Sequence, residues 1–140
     1  MRRLLQRWVA LTPIERMLLR RAVAASVVAR SALAFLPWKR LAARRAATDE
    51  RLITLTQPVA IALVRWAVGV SARRVPFQTC LSSALVARDL LGRFGLESTL
   101  DLGMYLDEHG AIAFHAAVTS GGQTIGGEQR MTVLASFASA

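Results

Sequence analysis

The sequence predicts an α+β fold, with helices first and a small antiparallel sheet after them. Three observations carry this. Apolar residues recur at helical spacing up to residue 94, the spacing changes to alternation after Gly95, and turn chemistry then cuts the alternating part into short strands.

The first helix opens at "LTPIER". Thr12 suits the N-cap, Pro13 the first helical position, and Glu15 completes a capping box. Ile14, Leu18, Ala22, Ala25 and Ala29 give an apolar face with arginines between them, and Pro37 stops the run. "WKRLAARRAATDERL" reads as a basic helix or helical linker. A second main helix covers about Pro58 to Ser71, with Thr56 as its cap, and Arg73, Arg74 and Pro76 mark a loop. The third runs from about Thr79 to Phe94. Leu81, Ala84, Leu85, Leu91 and Phe94 form its apolar face, and Gly95 fits the left-handed position that ends it. "LESTLDLGMYL", "AIAFHAAVT", "QTIGG" and "RMTVLASF" then read as four strands of an antiparallel meander. Turns at Asp107–Gly110 and Ser120–Gly122 separate the first three.

The 140 residues carry a net charge of +9, all of it in the first part. Residues 1–51 hold twelve Lys/Arg against three acids, whereas residues 52–140 hold six of each sign. This divides the chain into a basic helical N-terminal region, 1–51, and a second region, 52–140. The basic part seeks an acidic face, such as a membrane surface or an acidic protein. Nucleic acid is not expected, because the basic region has few interleaved aromatics and no recognised reading motif. One cysteine and two histidines exclude a four-ligand structural zinc site, and a lone cysteine makes no internal disulfide. No metal or other cofactor is expected. Arg7 and Arg30 interrupt the apolar runs well short of the ~20 residues that a spanning helix needs. A cytoplasmic location is expected, with contact to the membrane surface as an addition.

The candidate chemistry lies in "VPFQTCLSSALVARDLL". Cys80, the only cysteine, falls where a loop hands over to a helix. Free backbone N–H groups at a helix start favour a thiolate and can hold a developing oxyanion. His115 falls in the middle of the second strand, the kind of place from which an imidazole can serve a thiol. Each residue has a plainer reading. A lone cysteine also serves as a small buried apolar group, and His115, between Phe114 and Ala116, as a core histidine. "GGQTIGG" is no phosphate loop, since no Lys-Ser/Thr follows it.

The order of "CLSSALVARDLL", "RFGLE", "LDLGMYL", "FHAAV" and "GGQTIGG", preceded by "LTPIERMLLRRAV" and "LPWKRL", resembles the leader peptidase (B2) proteins of bacterial lasso-peptide biosynthesis. The resemblance covers nearly the whole chain. It implies a transglutaminase-like, papain-related core at 52–140, with one central helix on a small antiparallel sheet. It also implies a cysteine protease that cuts the leader from a ribosomal precursor, so that a cyclase can close the macrolactam. Cys80 would be the nucleophile and His115 the base, while Gln78 and Leu81 would serve the oxyanion or the cleft. The implied partners are the precursor peptide, a leader-binding protein of the B1 type and the lasso cyclase. The family's usual Trp two residues after the histidine is Ala117 here, and Thr119 stands where an acid or amide is usual. Its orienting Asp falls at Gly127, which leaves adjacent Glu128 as the candidate third member and Asp101 and Asp107 as more remote ones. A protease-like scaffold that binds precursor and partners without cutting is the alternative reading.

Overall fold

The computed structural model describes residues 8–44, 46–126 and 130–139. Among the described residues five helices precede a four-stranded antiparallel sheet, the α+β arrangement expected. Helix α1 is Pro13–Phe35. Its capping box forms as the sequence predicts, with Glu15 N donating to Thr12 Oγ1 at 3.2 Å and Thr12 N to Glu15 Oε2 at 2.7 Å. The basic stretch after Pro37 forms two short helices, α2 (Trp38–Ala43) and α3 (Glu50–Ile53), the second capped by Asp49. Helix α4 spans Gln57–Arg74, one residue earlier and three later than the spacing predicts; Thr56 makes no side-chain cap bond.

Helix α5, Cys80–Arg93, is the centre of the molecule. It packs on α1 and α4 and on strands β1 (Thr99–Leu106) and β2 (Ile112–Ser120). Two-sided packing explains why Ala84 to Arg88 are all buried, a run that a single apolar face does not predict. Arg88 lies in that run, only 8 % exposed, and donates from Nη1 to the Phe137 carbonyl at 2.9 Å. Burial alone pushes its pKa down. Gly95 takes the left-handed conformation, φ +73°, and ends the helix as expected.

Strand β3 is Gln123–Ile125 and β4 is Thr132–Ala138. The sheet order is β3-β2-β1-β4. The meander therefore holds for three strands and fails at the fourth, which crosses the sheet and pairs with β1. Adjacency in sequence favours the simple meander, but β4 finds on β1 the neighbour that lets Phe137 join the core beside Trp38. The start of β4 lies close against Gly103, where a Cβ would lie 2.6 Å from the Thr132 carbonyl and 2.9 Å from Met131 Sδ. One buried cluster includes Leu18 of α1, Leu52 of α3, Ile61 of α4, Leu90 and Leu91 of α5, and Leu100 and Val118 of the sheet. Residues 1–51 and 52–140 thus contribute to the same core.

Candidate functional site

Cys80 is the first residue of α5 and is exposed. Its position follows from local chemistry. Thr79 sits at the N-cap in extended conformation, and its Oγ1 accepts the Ser82 N–H at 3.2 Å. Ser82 closes the box by accepting the Thr79 N–H at 2.9 Å. The N–H groups of Cys80 and Leu81 precede the first intrahelical bond, which starts at Ser83 N, and no described acceptor takes them. An exposed thiol and two backbone N–H groups without a described acceptor, those of Cys80 and Leu81, therefore lie together at one helix end.

The turn before Cys80 is unusual. Phe77 has φ +60°, a conformation that a bulky side chain rarely adopts, and is 83 % exposed. Such a residue costs about 1–3 kcal/mol and persists only where its surroundings hold it. Gln78 supplies one hold. Its Nε2 donates to Ser26 Oγ of α1 at 3.0 Å. That side chain therefore points into the helix packing, and its amide N–H is engaged there.

His115 is on β2, paired with Gly103 of β1. Its face is settled by its neighbours. Leu102, Ala116 and Val118 pack with the cluster around α5, and alternate residues of a strand face opposite sides. His115 and Gly103 therefore face away from α5, on the side where Met131 lies against Gly103. There the imidazole meets the Tyr105 ring edge-on, with centroids 6.1 Å apart, and its Nε2 bonds to the Gly126 carbonyl. A carbonyl can only accept, so Nε2 carries the proton, and in the neutral ring Nδ1 keeps its lone pair. Among the described residues no hydrogen bond joins Cys80 to His115. The structure holds the thiol at the head of α5 and the imidazole on the far face of the sheet.

Glu128 lies outside the described residues. Asp101 accepts the Ser136 hydroxyl at 2.6 Å. Asp107 caps its own turn, with Oδ1 accepting from His109 N at 2.8 Å and Ala111 N at 2.9 Å. Neither is bonded to His115. The acceptor that the ring does find, the Gly126 carbonyl, carries no side-chain signal; only its distance of eleven residues from His115 hints at it. The partners of Gln78 were equally silent, because Ser26 stands 52 residues upstream of it. No group of three or more His, Cys, Asp or Glu able to hold a metal occurs among the described residues. No described helix is long and apolar enough to cross a membrane.

Among curated proteins none matches the chain, and among solved structures none does. The model of the transglutaminase-like superfamily matches residues 17–138. That match runs from the first turns of α1 to the end of β4, and it includes the exposed cysteine at the head of the central helix and the histidine of β2. The superfamily includes cysteine-protease-like members, and this chain belongs to the transglutaminase-like superfamily.

Proposed function

We propose that this chain is a cysteine endopeptidase that removes the leader from a ribosomal lasso-peptide precursor. The observation that carries the reading is Cys80, exposed at the first position of a capped helix beside two backbone N–H groups with no described acceptor. The thiol sulfur attacks the carbonyl of the last leader residue, forming a C–S bond. The N–H groups of Cys80 and Leu81 receive the oxyanion. The C–N bond breaks, and the core peptide leaves as an amine that has gained a proton. Water then hydrolyses the thioester, releasing the leader acid and restoring the thiol.

His115 is assigned the proton transfers, and Glu128 the orientation of its ring, on the resemblance to the leader peptidases. The reading requires the precursor, a leader-binding protein of the B1 type and a lasso cyclase as partners. Exposed Arg20, Arg30, Lys39 and Arg40, with Val27, Val28 and Phe35 among them, are the surface we assign to the acidic face of such a partner or to a membrane surface.

A second reading is a protease-like scaffold that binds precursor and partners without cutting. It is favoured by one observation: His115 faces away from α5 and is bonded to Gly126. Mass spectrometry of the precursor, incubated with chain and leader-binding protein, separates the two. The peptidase reading expects separate leader and core from wild type and neither from Cys80→Ala. With His115 as the base, His115→Ala slows cleavage by about 10²–10⁴-fold. A loss below about tenfold would remove His115 from the proton transfers. Binding without cleavage by folded wild type would establish the scaffold.

A further inference from the structure

The turn that carries Cys80 is tied to helix α1 by a buried polar chain. Ser26 of α1 and Ser71 of α4 are fully buried and face each other, with 3.3 Å between their hydroxyl oxygens. Each hydroxyl has a single proton, and each has a backbone acceptor on its own helix. Ser26 Oγ donates to the Ala22 carbonyl at 2.7 Å and Ser71 Oγ to the Val68 carbonyl at 3.0 Å. With its proton spent, Ser26 can take on only a donor. Gln78 supplies it, through Nε2 at 3.0 Å. This accounting fixes which end of the amide faces Ser26. It also leaves Gln78 Oε1 buried without a partner among the described residues.

An amide half-satisfied in this way is a poor device for stability. The bond it makes is offset by the acceptor it strands. Its place in the chain gives it another use. Gln78 directly follows Phe77, the residue with the left-handed backbone, and directly precedes Thr79, the cap of α5. Both neighbours need a fixed turn. We propose that Gln78, held by Ser26, is a positioning residue that sets the cap geometry and hence the placement of Cys80 and its backbone N–H groups. Helix α1 is then part of the site's support. The consequence for catalysis rests on the peptidase reading, whereas the positioning itself does not.

The test substitutes Gln78→Met, which keeps the length of the side chain and removes both the donor and the stranded acceptor. The thermal midpoint stays within about 4 °C of wild type, because the two losses offset. Hydrogen exchange at the Ser82 amide, the one capped by Thr79, rises about fivefold, while amides of α4 and the sheet keep their rates. Ser26→Ala gives the same local rise, and the double variant adds nothing to it, as expected of two ends of one bond. In precursor cleavage, Gln78→Met lowers kcat and leaves KM within twofold. Unchanged Ser82 exchange in a folded Gln78→Met overturns the proposal, and so does additive behaviour of the two substitutions. A local rise in exchange together with no cleavage by wild type would keep the positioning role and reject the peptidase reading.

Discussion

At the scale of single residues, the molecule is decided by a few atoms that have one acceptable neighbour. Gly103 is one of them. It is buried, it pairs with His115, and the register between β1 and β4 shifts beside it, between Leu102 and Gly103. The start of β4 comes so close that a Cβ would meet the Thr132 carbonyl and the Met131 sulfur. The methionine can move, but the backbone carbonyl belongs to a paired strand and cannot easily do so. Gly103→Ala is therefore expected to destabilise the fold by about 1–3 kcal/mol in a urea titration. A loss below about 0.5 kcal/mol would mean that the start of β4 yields at no cost. His115 belongs to the same face. Its Nε2 has a backbone acceptor in Gly126, eleven residues further along the chain.

At the scale of elements, the central helix is set by its two ends and by the two layers that bury it. Its start is a reciprocal box between Thr79 and Ser82, and its end is Gly95 in the left-handed region. Thr79→Ala removes the acceptor for Ser82 N, at a cost of about 0.5–2 kcal/mol. Thermal unfolding checks the size, and circular dichroism should show that the helix survives. In the peptidase reading, the same variant slows cleavage by more than its stability loss explains, because Cys80 and Leu81 are the next two residues. Thr79→Ser keeps the oxygen and should restore both properties. Equal stability in Thr79→Ala and wild type would show that packing on the two layers, not the cap, fixes where α5 begins.

For the whole molecule, a few polar joints add to the apolar core that the layers share. Asp49 is the busiest of them. Its carboxylate lies 2.8 Å from Arg21 of α1, its backbone N–H donates to the Arg93 carbonyl at the end of α5 at 2.8 Å, and it caps α3. The Arg21 guanidinium, helped by the Arg51 N–H, lowers its pKa from the ordinary 3.8. A lowered folded pKa contributes stability that is complete above the unfolded value and is lost as pH falls through the folded one. Wild type should therefore lose stability below about pH 4, and Asp49→Asn should lose less over the same interval, starting from a lower midpoint. Parallel pH profiles for the two would show that Asp49 contributes nothing to acid sensitivity. Glu15, also lowered, by the Thr12 backbone N–H and hydroxyl, acts in the same direction and remains in both proteins.

Sequence by itself determined the fold class, both ends of α5 to within a residue, the capping box of α1 and the first three strands. These depend on signals of short range: a capping oxygen, a glycine free to take positive φ, and an alternation that needs only its own strand. It also placed Cys80 at a helix start for the same reason. Tertiary structure decided what depends on partners far along the chain. It sent β4 across the sheet to β1, because the apolar face of Phe137 is satisfied there. It turned Gln78 toward Ser26, since only the packing of α1 on α4 brings that hydroxyl near. It also put His115 on the face away from α5. Periodicity says that neighbours alternate but does not say which set the core will claim, and here Ala116 and Val118 took the core side.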